Sequence, residues 1–419
     1  MIYTSRNMLY HLGNLNTENE RVTYQMATKE VLQNGSDDSI LHSDIINLED
    51  KLRVTEGLLL QITKTKVMNE TGDTSLKELK IAIGGDDTGG GIQDDLLKAL
   101  NSGMDRSDKL AVATNLRGIR DNMFDRMNTR VDGEYVFAGS DTSVQTLEKD
   151  ADYANNGKIT FEGDGFLRQV AVQAGSYRDR GVTAYDTIFY PATVTHANET
   201  LTFEDGERII DQDGHEWIPN PDNTKLQKYD HNGVVIHPPV EYDIQLKTAE
   251  FSSFDPSADP DYTNYPQSQK ATYETVSPLP ATEPGVVFSS MHNYFDDLNV
   301  TINALEGYAT NIDGTPNLGT EMTDEQVRVT LSEGLEKNAK QFDATNIGHG
   351  ELGGRNNVFN IAYSKLTTQE SHYNILIEET SGADLAKLAM ESKALEITYQ
   401  SLYTTIGKMN QLSLLNYIN

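Results

Sequence analysis

Nine histidines are the residues best suited by type to do chemistry in this 419-residue chain. Four of them, His196, His215, His231 and His237, fall in the central part among Asp and Glu. The run HEWIP, from His215 to Pro219, opens like the zinc-protease motif H-E-x-x-H, in which two imidazoles one helical turn apart hold a metal. Pro219 stands where the second ligand is required; it supplies no imidazole and opposes the helix that would align two ligands. The overlapping run DQDGHEW has the form of a calcium loop, but its Gly214 comes too early for the EF-hand pattern, and a turn between strands is the simpler reading. GGDDTGGG at 84–91 lacks the Lys-Ser/Thr pair of a phosphate loop, and no G-x-S-x-G elbow occurs. No catalytic residue, cofactor or protein-bound metal is expected, and an adventitious metal at the central histidines stays open.

The charge balance narrows the partners. Asp and Glu number 64 against 34 Lys and Arg, a formal charge of -30. A phosphate backbone needs a basic footprint, and an anionic membrane surface attracts basic segments, so neither nucleic acid nor membrane is an expected partner. The absence of cysteine rules out a disulfide framework, a thiol nucleophile and Cys-ligated zinc. The opening MIYTSRNMLYHLGNLNTENE lacks the apolar core of a secretory signal peptide, and no apolar run is long enough to span a bilayer. The expectation is a soluble protein that, if exported, leaves without a cleaved leader.

Proline maps the organisation. Eleven of the 12 prolines lie from Pro191 to Pro284, and the other is Pro316. Because proline breaks helix interiors, the flanks are free to form long helices and the centre should be strands and loops. Leu41, Ile45, Leu48, Leu52, Thr55, Leu59 and Ile62 step by four and three, a heptad seam. Leu116, Ile119, Met123 and Met127 keep helical spacing. Beyond the centre, Phe295, Leu298, Ile302 and Leu305 form a short seam, and Leu331, Leu335 and Phe342 another. Leu352, Phe359, Ala362, Leu366, Tyr373 and Leu376 form a longer one. The runs GKITFEG, RQVAVQAG, ETLTFEDGERIIDQDG and NGVVIHPPVEYDIQLK read as strands and hairpins. The fold class expected is α+β and multidomain: a long antiparallel helical bundle or coiled coil from the N- and C-terminal segments, with an inserted β-rich outer domain. The boundaries are 1–42 with 380–419 as terminal coiled-coil helices, 43–132 with 286–379 as a helical bundle, and 133–285 as the surface-exposed insert.

The last seam runs Leu385, Leu388, Ser392, Leu395, Tyr399, Leu402, Ile406 and Met409, and apolar residues continue through Leu412 and Leu415. From Ala394 to Asn419 only Glu396 and Lys408 carry charge. A helix on a globule's surface exposes a charged face; here the other faces carry Thr, Ser, Gln, Asn and Tyr. The N-terminal arm is similar, with Leu9 and Leu12 among sparse apolar residues. Burying one stripe does not offset the backbone entropy of ordering such a helix. Both termini are expected to be disordered in the free chain and to fold against several partners at once.

Four stretches carry a family resemblance. MIYTSRNMLYHL, VLQNGSDDSILHSDIINLEDKL, DGEYVFAGSDT, and LGGRNNVFN with the closing YQSLYTTIGKMNQLSLLNYIN are similar to the flagellin superfamily of bacterial axial proteins. The match is best to its hook–filament junction members, hook-associated protein 3. It covers roughly 1–180 and 290–419 and leaves about 190–285 without a counterpart. Each motif also has a local reason. Asn34-Gly35 supplies a turn, and Ser36 caps the next helix with Asp37 and Asp38 at its positive end. Tyr135 and Phe137, before Gly139, mark the exit from helix into strand. Gly353 and Gly354 allow close backbone approach, and Arg355 pairs with a carboxylate of the neighbouring helix or is solvated. The resemblance implies a structural component of the bacterial flagellum that is secreted through type III export. It also implies ring or helical self-assembly, with hook-associated protein 1, flagellin and a cytoplasmic export chaperone as partners. Filament flagellin is the alternative, and a secreted adhesin or enzyme carried by the central domain is a further one.

Overall fold

The structure is a computed structural model. It describes the chain apart from Met1 and residues 86–88, 102, 197–198, 205–206, 212–214, 221, 223, 230–234, 236–240, 251–268, 276–285, 312–313 and 419. His231, His237 and Gly214 lie outside the described residues. Helices α1 (Ile2–Thr28), α2 (Ser39–Gly84), α3 (Gly91–Leu100) and α4 (Arg106–Met127) come first. Short strands β1 (Arg130–Val131), β2 (Glu134–Tyr135) and β3 (Leu147–Lys149) follow, then α5 (Tyr153–Asn156), β4 (Ile159–Phe161), β5 (Gln169–Gln173), β6 (Ser176–Asp179) and α6 (Tyr185–Ile188). The central strands are β7 (Phe189–His196), β8 (Thr202–Glu204), β9 (Arg208–Asp211), β10 (Glu216–Pro219), β11 (Lys225–Lys228), β12 (Glu241–Glu250), β13 (Gln269–Thr275) and β14 (Val286–Asn293). The return consists of α7 (Tyr294–Leu305), β15 (Tyr308–Thr310), β16 (Pro316–Glu321), α8 (Asp324–Ser381) and α9 (Leu385–Ile418). The fold is α+β, with long helices at both ends and a β-rich centre, as the proline map indicated. By compactness the chain divides into two units, Met1–Gln61 with Ala362–Asn419, and Ile62–Ile361.

In the first unit α1 and α9 pack antiparallel, since Asn16 accepts from the Tyr399 hydroxyl at 2.6 Å while Arg21 pairs with Glu391 at 3.2 Å. Val22, Leu388 and Leu395 are buried between them, with Leu15 and Ala383 alongside. Short backbone links join the two helix breaks: Val31 N–H donates to Ser381 O at 2.8 Å and Ala383 N–H to Lys29 O at 2.9 Å. Each following helix begins on an aspartate. Asp38 Oδ1 accepts from Ile40 and Leu41 N–H, and Asp384 Oδ1 from Ala386 and Lys387 N–H, all at 3.0 Å. A carboxylate there satisfies N–H groups without helical partners and sits at the positive end of the helix dipole.

In the second unit α2 and α8 also run antiparallel. Leu352 lies against Gly72, His349 hydrogen-bonds Asp73 at 2.9 Å, and Asn338 donates to Ile83 O at 3.3 Å. The main core draws Leu76, Leu79 and Ile83 from α2, Leu116 and Met123 from α4, Phe295 and Ile302 from α7, and Leu331 and Leu352 from α8. A buried polar junction ties three elements: Asp297 accepts from the Tyr190 hydroxyl and pairs with Lys337, both at 2.5 Å. The chain enters the central sheet on β7 and leaves it on β14, which pair antiparallel from Phe189↔Asn293 to Val286↔His196. Among the described residues the sheet has eight strands in the order β7-β14-β9-β10-β11-β12-β13-β8. Its own core holds Leu201, Phe203, Ile209, Trp217, Leu226 and Phe288. Trp217 stacks on Tyr242 at 5.3 Å and meets Phe288 edge-on at 5.2 Å. The indole N–H donates to Asp211 at 3.0 Å, so the single tryptophan is buried with its polar atom satisfied.

Candidate assembly interface

The seam on α9 divides by depth along the helix. Leu388 is 5% exposed and Leu395 8%; both face α1 of their own chain. Tyr399, Leu402 and Ile406 are half-buried, as is Leu12 on α1, while Leu9 and Leu385 are exposed. Met409, Leu412 and Leu415 belong to the helix, but their side chains lie outside the described residues. The structure therefore brings Leu12, Leu388, Leu395, Tyr399, Leu402 and Ile406 to the covered or half-covered side of the pair, with Leu9 and Leu385 outside it. Tyr399 carries its ring beside Tyr403, with centroids 6.3 Å apart.

A second set of apolar residues was not singled out from the sequence. Met390 is 68% exposed and Ile397 57%, and they stand seven residues apart, on a line offset from the seam. Tyr403 is exposed on another side of α9, beside Tyr399, and Tyr10 and Met26 are exposed on α1. On α2, Ile46, Val54 and Leu60 are exposed while Leu41, Ile45, Leu48, Leu52, Thr55 and Ile62 are half-buried or buried. On α9 the signal lay two residues past Leu388 and Leu395, on the far side of the helix, where a solvated helix would place charge. On α9, apolar residues thus stand on the side away from α1 as well as on the side that α1 covers.

Two of the family motifs sit at turns between elements. In the 34–38 turn Asp37 N–H donates to Asn34 O at 3.0 Å, and Asp37 Oδ2 accepts from Gln33 and Asn34 N–H. The helix cap is Asp38 and not Ser36, because α2 starts two residues later than the motif alone suggests. At the exit from α4, Asp132 and Gly133 take φ of 51° and 85° between the paired Val131 and Glu134, the conformation of a tight two-residue hairpin. Tyr135 lies under the Arg130 guanidinium at 4.5 Å, and Phe137 is in the main core. Gly139 has φ 98°, and a Cβ there would stand 2.3 Å from Asp164 Oδ1. That aspartate accepts from Ser140 N–H at 2.9 Å, Ser140 Oγ at 2.6 Å and Phe166 N–H at 2.9 Å, which locks the bend.

Two sequence expectations are corrected in α8. Arg355 pairs with Glu351 of its own helix at 2.9 Å and donates to Gly181 O at 2.7 Å, so it reaches a loop carbonyl and not a neighbouring helix's carboxylate. Beyond their own helix turn, Gly353 and Gly354 have no atom of the described residues within 4 Å of where a Cβ would be, so no other described segment makes a close backbone approach there.

The electrostatics of the central strands are structural. Arg208 lies 4.2 Å from the Phe161 ring and pairs with Glu216 at 3.1 Å. Burial pulls its pKa down against that pairing, and burial raises Glu216 above the usual carboxylate range. Burial also pushes the Tyr185 hydroxyl up. His215 pairs with Asp211, which also pairs with Lys228 at 2.8 Å. Among the described residues no group of three His, Asp or Glu is placed to hold a metal ion, and no helix is long and apolar enough to cross a membrane.

No protein-family model and no curated protein matches the chain. Among solved structures it is similar to FlgL of Xanthomonas campestris, at 14% identity and TM-score 0.44, over 78% of this chain and 99% of that one. It is likewise similar to a putative flagellar hook-associated protein from Vibrio parahaemolyticus, at 13% identity and TM-score 0.48, over 83% and 100%. A third is the flagellar junction protein FlgL from Legionella pneumophila, at 14% identity and TM-score 0.39, over 82% and 99%. At such identities and TM-scores these likenesses assign no function to the chain.

Proposed function

We propose that this chain is a non-catalytic structural subunit of the bacterial flagellum, an adaptor at the junction of hook and filament. The observation that carries the reading is the α1–α9 pair. It covers Leu388 and Leu395 inside one chain while leaving Met390 and Ile397 uncovered, and from Ile397 to the end of the helix only Lys408 carries charge. A water-facing helix does not need a second apolar stripe; a helix that packs into a wall of identical helices does. The sequence resemblance at both ends supports the flagellar setting.

In this reading the terminal helices, near 1–42 and 380–419, gain their outer partners on assembly, and the 133–285 insert projects from the wall. Hook-associated protein 1 is the proximal partner and flagellin the distal one. A cytoplasmic export chaperone covers α9 before the chain leaves the cell unfolded for an extracellular place in the flagellum. The test is electron microscopy of a strain lacking the protein, with purified chain for comparison. Bare hooks, filament subunits in the medium and a purified chain that stays monomeric are expected. A purified chain that grows filaments from seeds would make it the filament subunit, and intact motile flagella in the null strain would refute the reading.

A further inference from the structure

The chain holds three Asn-Gly pairs, Asn34-Gly35, Asn156-Gly157 and Asn232-Gly233; the last lies outside the described residues, and the first two sit in opposite surroundings. An asparagine before glycine is chemically exposed, because glycine has no Cβ to shield its backbone nitrogen from the preceding side-chain amide. Asn156 is 7% exposed and clamped. Its Nδ2 donates to Asp150 Oδ1 at 2.8 Å, and its Oδ1 accepts from Lys158 N–H at 3.0 Å. The Gly157 N–H, the group that would attack, donates to Tyr153 O at 2.9 Å.

Asn34 is exposed in the turn before α2. Its backbone is fixed, with N–H donating to Asp37 Oδ2 at 2.8 Å and its carbonyl accepting from Asp37 N–H at 3.0 Å. Among the described residues nothing hydrogen-bonds the Asn34 side-chain amide or the Gly35 N–H. His42, in the first turn of α2, supplies a second observation. A Cβ on Gly35 would stand 2.6 Å from both Cδ2 and Nε2 of His42, so the imidazole lies where a side chain would be. Cβ and N hang from the same Cα, which puts Nε2 no more than about 5 Å from the Gly35 nitrogen. A rotation of the exposed ring or one water spans that gap, and a neutral imidazole has a nitrogen able to take a proton.

We infer that Asn34 is a self-modification site, at which the Gly35 nitrogen attacks the Asn34 side-chain amide in the folded chain and His42 takes the proton shed. The bond from Gly35 N to Asn34 Cγ forms and the Cγ–Nδ2 bond breaks, and ammonia leaves with the proton that His42 returns. Water then opens the succinimide at Cγ to give aspartate, or at the main-chain carbonyl to give isoaspartate. One water is consumed and one ammonia released, with no redox change. Either product sets a new carboxylate beside Asp37 and Asp38, where like charges repel, and isoaspartate also lengthens the backbone of the turn by one methylene. The inference is independent of the assembly reading.

The test ages the purified full chain at neutral pH, folded and in urea, with peptide mass mapping for deamidation and enzymatic methylation for isoaspartate. In urea Asn34 and Asn156 should convert alike. In the folded chain Asn34 should convert at least about tenfold faster than Asn156, where three hydrogen bonds must open first. Equal rates in the folded chain, or an Asn34 slower there than in urea, overturn the site. His42→Gln and His42→Ala change an exposed helix position that accepts either residue, and protected α1 and α9 amides verify their fold. Both should slow Asn34 several-fold in the folded chain and leave its rate in urea unchanged; an unchanged or faster folded rate overturns the part given to His42.

Discussion

The two stripes on α9 predict opposite behaviour for substitutions nine residues apart. Leu388 lies in the Val22–Leu395 cluster at 5% exposure, so Leu388→Ala removes buried methylenes and leaves a gap. Such truncations cost about 2–5 kcal/mol, and a two-helix seam able to close partly belongs at the low end, about 2 kcal/mol. Ile397 is 57% exposed, and Ile397→Asp should change the isolated chain's stability by no more than about 0.5 kcal/mol, as for other surface positions. In an assembled wall the order reverses. A carboxylate at 397 would be buried without a partner against the next copy, a severe penalty, whereas the assembly supplies packing that compensates the truncation at 388. Hydrogen exchange of α1 and α9 amides in the purified chain reads the first effect, and filament retention on cells reads the second. Leu388→Ala should expose the amides and keep filaments; Ile397→Asp should keep the protection and lose filaments. Loss of protection in Ile397→Asp equal to that in Leu388→Ala, or filaments retained by Ile397→Asp, would refute the division into an inner and an outer stripe.

Two further outcomes concern the second unit. Gly139→Ala forces a side chain into φ 98° and toward Asp164, and should lower stability by about 1–3 kcal/mol, read as a fall in urea midpoint with the α1–α9 amides unaffected. Glu134 is held below its usual pKa first by the hydrogen bond from Arg180, with Arg168 adding to it. A depressed carboxylate stabilises the folded state above its unfolded value of 4.5 and loses that contribution as pH falls through the folded value. The parent's advantage in melting temperature over Glu134→Gln should therefore be constant near neutrality and shrink below about pH 4.5; an advantage that grows on acidification would contradict the pairing.

The helical flanks were legible from residue types alone because a seam needs only spacing. Leu41 to Ile62 and Leu352 to Leu376 read as coiled-coil stripes, and those positions are the covered ones on α2 and α8. Proline placement separated helix from strand for the same local reason: a ring that removes an N–H and fixes φ acts wherever it stands. What the spacing left open was the partner. A stripe of leucines on α9 has the same period whether α1 of its own chain or a neighbouring copy covers it, so the spacing did not show that α1 covers Leu388 and Leu395 and leaves Met390 and Ile397 exposed. The role of Arg355 was open for a similar reason, since the Gly181 carbonyl that it reaches lies 174 residues away along the chain. Only the tertiary structure decided which faces remain for other molecules, because exposure depends on what the rest of the chain has already covered.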